Sequence, residues 1–120
     1  MTKLLAVSMP IPSNKLEQWK KFTNELKTTR QKDFNDSRKN LGVQERTFLQ
    51  TTPEGNNVIV TLEGENPESA FLNFGKSNDE FTQWFVKQVK EIHNFDLTQI
   101  SKDMLPKLIV ESKQIKETVM

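Results

Sequence analysis

Residues 43–63 read VQERTFLQTT-PEGNN-VIVTLE. Two runs rich in β-branched and aromatic residues, 43–52 and 58–63, flank the cluster Pro53-Glu54-Gly55-Asn56-Asn57. Such side chains suit a pleated surface, and a Pro/Gly/Asn cluster is where a chain reverses, so the stretch predicts an antiparallel hairpin. Everything else is placed around it.

Upstream, residues 3–9 read as a strand, with Leu5, Val7 and Met9 on one parity and Leu4 and Ala6 on the other. Pro10-Ile11-Pro12 closes it, because proline donates no ladder hydrogen bond. Ser13 or Asn14 is expected to cap a helix, and Asn14 with Glu17 has the spacing of a capping box. From there Leu16, Trp19, Phe22, Thr23, Leu26, Phe34 and Leu41 recur at three- and four-residue steps, predicting one long helix that Gly42 ends. Its middle, 27–33, is almost wholly polar, so a bend can fall there. Downstream, Asn66 and Pro67 open a short helix that Gly75 stops. Ser77 and Glu80 open another, with Phe81, Trp84, Phe85, Gln88, Val89 and Ile92 on one side. Leu108-Ile109-Val110 reads as a short final strand, and residues 113–120 as a polar tail beyond a single domain at 1–112.

The resulting order, β-α-β-β-α-β, predicts an α+β ferredoxin-like plait: a four-stranded antiparallel sheet with helices on one face. An antiparallel sheet with one wet face should alternate apolar and polar residues. The first strand is apolar on both parities, and Ile59 and Thr61 oppose Val58, Val60 and Leu62 in the third. This predicts a covered second face, and a second copy packed sheet to sheet, as a symmetric homodimer, is the simplest cover.

Composition removes whole classes of chemistry. The chain has 120 residues, 17 basic and 16 acidic, with no Cys, no Tyr, one His and four Gly. Without Cys there is no thiol nucleophile, disulfide or Cys-based zinc site. A single His per chain cannot build a His-rich metal centre, and no glycine spacing matches a phosphate-cradling loop. Neither a metal nor a cofactor is expected. The near-balanced charge argues against nucleic acid as a partner. No apolar run approaches the roughly 18 residues of a membrane span, and the apolar run at 4–7 is too short for a signal peptide. A soluble cytoplasmic protein with no membrane partner is the expectation. Eight Phe and two Trp supply the anchors of a core.

Two stretches, FTQWFVKQVKEIH at 81–93 and SRKNLGV at 37–43 with the ERTFLQ strand after it, resemble a group of small, uncharacterised bacterial proteins of the dimeric α/β-barrel (ferredoxin-like) superfamily. The resemblance covers roughly residues 4–97. It implies a dimer of plaits but no particular activity: that superfamily includes cofactor-independent monooxygenases, isomerase-like enzymes and haem-handling proteins. A haem role would want a His in the barrel cavity, and His93 is the sole candidate.

Polar residues that fall in phase with apolar ones are the candidates for a site. Continuing the first helix's apolar side brings Arg30, Asp33 and Ser37 onto it. A buried Arg30 would need a partner, since an unpaired buried charge costs several kcal/mol; a bend after Leu26 would instead leave this half in water. Gln88 lies among aromatic neighbours, to be satisfied by nearby backbone or aimed at a ligand. Arg38 ends the long helix. Arg46 faces either a cross-strand ion pair with Glu63 or an anion in a barrel. Arg30, Arg38, Arg46 and Gln88 are the ligand-binding candidates. His93 is the catalytic candidate by its unperturbed pKa, but no carboxylate in its own helix can orient it. Trp19 and Trp84 read as packing. Two functions follow from these residues: a homodimeric small-molecule-binding or structural module, or a cofactor-independent, monooxygenase- or isomerase-like enzyme acting on a small hydrophobic substrate in a helix–sheet cavity.

Overall fold

The computed structural model of the chain describes residues 2–112; the tail expected at 113–120 lies outside them. In chain order the elements are β1 (Lys3–Ile11), α1 (Leu16–Lys27), α2 (Gln31–Asn40), β2 (Val43–Thr52), β3 (Gly55–Gly64), α3 (Pro67–Asn73) and α4 (Glu80–His93). Short 3-10 turns stand at Ser13–Lys15, Phe74–Lys76, Leu97–Gln99 and Lys102–Met104.

The hairpin forms where the sequence predicts it. β2 and β3 pair antiparallel from Val43↔Gly64 to Thr52↔Gly55, so only Pro53 and Glu54 separate the strands. β1 pairs antiparallel with the other edge of β3, Leu5 opposite Leu62 and Val7 opposite Val60, giving the order β1-β3-β2. Alternation along the strands sends Leu5, Val7, Met9 and Ile11 of β1 and Val58, Val60 and Leu62 of β3 to the buried face. Trp19, Phe22 and Leu26 of α1, Phe71 of α3 and Phe81, Phe85, Val89 and Ile92 of α4 pack down onto it. Phe22 meets Trp84 and Phe85 at 5.4 Å between centroids, and Phe74 meets Phe85 edge-on at 5.8 Å, the tilted geometries that ring quadrupoles favour.

The four-stranded ferredoxin-like plait is not the fold. Among the described residues the sheet has three strands, and the order is β-α-α-β-β-α-α. Leu108, Ile109 and Val110 enter no strand and are 73%, 87% and 84% exposed. Three consecutive apolar residues cannot share one face of a sheet, so pairing them would bury only part of the run. The long helix is in fact two. Thr28 leaves helical geometry at φ −126°, ψ −95°, and its hydroxyl donates to Asn24 O at 2.7 Å. A side chain that bonds the local backbone competes with the helix, and no apolar residue at 27–33 holds the helix together there.

Capping also departs from expectation at two ends. α1 has no side-chain cap, because Ser13–Lys15 forms a 3-10 turn ahead of it. α4 is capped by Asp79, whose carboxylate accepts from Thr82 N at 2.9 Å, while Ser77 donates its hydroxyl to Asp79. The Ser77 hydrogen bond is the main reason the Asp79 carboxyl is held below its ordinary range. Asn66 caps α3 as expected, accepting from Ser69 N at 3.1 Å.

Candidate functional site

β2 carries its apolar residue Val43 on the helix-covered side, and two residues on, the same parity places Glu45 there, opposite Leu62. A carboxylate therefore faces the core and must find a partner. It does so across the α2–β2 turn. α2 ends at Asn40, and Gly42, at φ +73°, takes the left-handed conformation that lets the chain double back. Arg38, in the last turn of α2, then donates its Nε to Glu45 Oε1 at 2.6 Å, with the two side chains only 4% and 2% exposed.

The guanidinium is enclosed by rings. Its carbon lies 4.2 Å from the Phe74 centroid, 4.5 Å from Phe85 and 5.0 Å from Phe34. Negative ring faces stabilise a cation most where water is excluded. Nη1 donates to Ser37 Oγ at 2.9 Å. Nη2 is buried and has no hydrogen-bond partner among the described residues. Such an unmet donor costs about 1–3 kcal/mol, more on a charged group.

Two spaces adjoin this pair. Inside, between helices and sheet, is a cavity of about 30 Å³, room for roughly two waters at 10–15 Å³ each. Its walls are mainly apolar, Met9, Phe22, Val58, Phe74, Phe85 and Val89 among them, with Thr23, Glu45, Thr47 and His93 as the polar members. Outside, between α2 and β2, runs a groove of about 370 Å³ lined by Phe34, Asn35, Arg38, Lys39, Val43, Gln44 and Glu45. Glu45 lines both, so the ion pair forms part of the partition between groove and cavity.

His93 is the last residue of α4, where Asn94 turns the chain away at φ 55°. It is buried, and its Nδ1 lies 2.7 Å from Pro10 O. A carbonyl only accepts, so Nδ1 carries the proton and the neutral ring keeps Nε2 as an acceptor. Burial pushes the His93 pKa down, and the Pro10 carbonyl opposes that in part. The ring is therefore neutral at pH 7.

The other candidates lie apart. Arg30 stands at the break between α1 and α2, its guanidinium 4.0 Å from the Trp84 ring and its Nε 3.7 Å from Glu25, so its ionic partner is Glu25 and not Asp33. Arg46 is on the open face, paired with Glu63 at 2.9 Å and with Gln44 Oε1 at 2.9 Å. Gln88 is half-buried on α4 and lines neither the cavity nor the groove. Of the sequence candidates only Arg38 and His93 reach this region. The residue that sequence reasoning missed is Glu45; its parity with Val43 was the available signal.

Among the described residues no group of three or more His, Cys, Asp or Glu is placed to hold a metal ion, and no helix is long and apolar enough to cross a membrane. In comparison with known proteins, no family model, curated protein or solved structure matches the chain, so the likeness read from residues 37–50 and 81–93 has no counterpart there.

Proposed function

We propose that the protein is a cytoplasmic binding module that takes a small, mainly apolar molecule between its helices and its sheet. The observation that carries this reading is the helix–sheet cavity, where aromatic and aliphatic walls surround a few polar groups, Glu45 and His93 among them. Concave, mostly apolar sites with few polar groups are the usual form of a small-molecule site. The empty space is small, so an occupant larger than water must displace part of the aromatic wall. Titration with indole, followed by methyl resonances of Val58, Val60 and Val89, tests it. Saturable shifts that vanish in Thr47→Phe, which fills the space, are expected; no shifts in the parent protein would refute the reading.

The module is further proposed to act as a homodimer through the open sheet face. Leu4 and Phe48 stand on that face 65% and 51% exposed. Sedimentation velocity should return a mass near twice 13.9 kDa; a monomer at micromolar concentration would refute the dimer. A cofactor-independent enzyme is the second reading, favoured by His93 as a neutral base at the same cavity. It is weaker because Glu45 is committed to Arg38, and Nδ1 of His93 is anchored on a backbone carbonyl, which leaves no carboxylate to orient the ring.

A further inference from the structure

We infer that the occupant of the helix–sheet cavity is a neutral hydrogen-bond donor, an N–H or O–H on a small apolar ring, and that His93 Nε2 is its acceptor. This rests on the cavity reading above and names the chemistry of the molecule it would take. His93 lines the cavity and not the outer groove. The residue is 5% exposed, and its Nδ1 is committed to the Pro10 carbonyl at 2.7 Å. Nε2 makes no hydrogen bond among the described residues, yet the one fully enclosed side-chain nitrogen or oxygen without a partner there is Arg38 Nη2. Nε2 therefore keeps an open edge, and it is the only polar atom the ring has left for the cavity. A ring nitrogen without a proton can only accept.

The other polar walls have the same sense. Glu45 contributes a carboxylate, which accepts and does not donate. The Thr23 hydroxyl spends its proton on Lys20 O at 3.1 Å and keeps its lone pairs. Thr47 is exposed, and its hydroxyl can turn to either role. The cavity thus offers acceptors and no committed donor, so a carbonyl or ether oxygen on an occupant would face lone pairs. Charge sets a second limit. Glu45 is already matched by Arg38 at 2.6 Å, and an ammonium would bring an uncompensated charge into an apolar site. A neutral N–H or O–H adds a hydrogen bond and no charge. A site that holds out an acceptor discriminates against analogues that cannot donate to it, because the acceptor is then left unpaired.

Binding of pyrrole, furan and pyrrolidine to the intact chain at neutral pH, measured by NMR titration, tests the inference. Pyrrole and furan are rings of the same size, one presenting an N–H and the other a bare oxygen, while pyrrolidine is an ammonium at that pH. Pyrrole should bind at least about tenfold more tightly than either of the others. The His93 Nε2 resonance should move with pyrrole and stay still with furan. His93→Phe keeps a ring without the acceptor and should bring pyrrole down to the level of furan. If furan binds as well as pyrrole, the donor assignment fails while the cavity reading stands. If none of the three binds, the cavity reading fails and this inference with it. Tighter binding of pyrrolidine overturns the neutral donor in favour of a cation site. A preference for pyrrole with an unmoved Nε2 resonance overturns His93 as the acceptor. The resonance shift needs no substitution, so the test survives even if the variant does not fold.

Discussion

Two arginine–glutamate pairs sit on opposite faces of the same strand pair. Glu45 points into the helix-covered side and meets Arg38 at 2.6 Å, the two side chains 4% and 2% exposed. Arg46, the next residue, points to the open side and meets Glu63 at 2.9 Å, with side chains 45% and 40% exposed. The chemistry is the same and the energetics are not. In water the outer pair exchanges solvation for a modest Coulomb attraction and loses side-chain freedom. The inner pair has surrendered its solvation, so each charge depends on the other, on Ser37 and on the rings around it. Net stability is not what distinguishes them, since a buried pair is often no better than apolar residues of the same size. The difference lies in the cost of breaking one partner away.

The largest effect expected is from Glu45→Leu alone. It strands the Arg38 guanidinium in the core, and urea unfolding should show a loss of about 3–5 kcal/mol. A loss below about 1 kcal/mol would mean that water reaches Arg38 and that the two pairs are alike. Adding Arg38→Met to Glu45→Leu should return most of that loss, because no charge then remains buried; a double variant as unstable as the single would break the contrast. Acid probes the helix-covered side through a different group. The folded His93 has a lowered pKa, so its neutral burial favours the folded state fully above the unfolded value near 6.5. That contribution is lost as the pH falls below 6.5 toward the folded value. Unfolding at pH 7.5 and 5.5 should show the decline, and His93→Gln should flatten it. Ala in place of Asp79 removes the cap of α4 and should cost about 1 kcal/mol, read by thermal melting. Smallest of all, Arg46→Ala should cost less than about 1 kcal/mol, shrinking further in 1 M salt. A cost above 2 kcal/mol would show the open face to be covered in solution.

The hairpin was legible because each strand carried its own pattern and the turn its own chemistry. The buried face of β1 and β3 followed from parity, and the aromatic side of α4 from helical period. What misled was a neighbour's influence that no local pattern carries. The apolar steps from Leu16 to Leu41 run through a stretch whose break depends on Thr28 bonding Asn24. Leu108 to Val110 resembles a strand by composition, but no ladder receives it in the described structure. The apparent double-sided character of β1 came from Leu4 and Ala6, both exposed. Within the site, His93 was visible as the single histidine at the edge of an apolar stripe, and Arg38 only as an arginine at the end of the predicted helix. Their partners, Glu45 and the Pro10 carbonyl, lie on other elements, and only the folded chain brings them together.

Gly64 closes β3 opposite Val43, and a Cβ there would collide with the carbonyl oxygen of Gly42. Seen from the folding chain, this works as an error check on the hairpin. A slip of one residue would turn Glu45 outward and bring Arg46 and Phe48 under the helices, which the apolar pattern rejects. A slip of two keeps the pattern intact, and apolar burial alone cannot detect it. It would, however, carry a residue with a side chain into the space where the Gly42 carbonyl must lie. Odd misalignments are thus refused by hydrophobicity and even ones by a missing methyl group, and between them they leave β2 and β3 a single alignment.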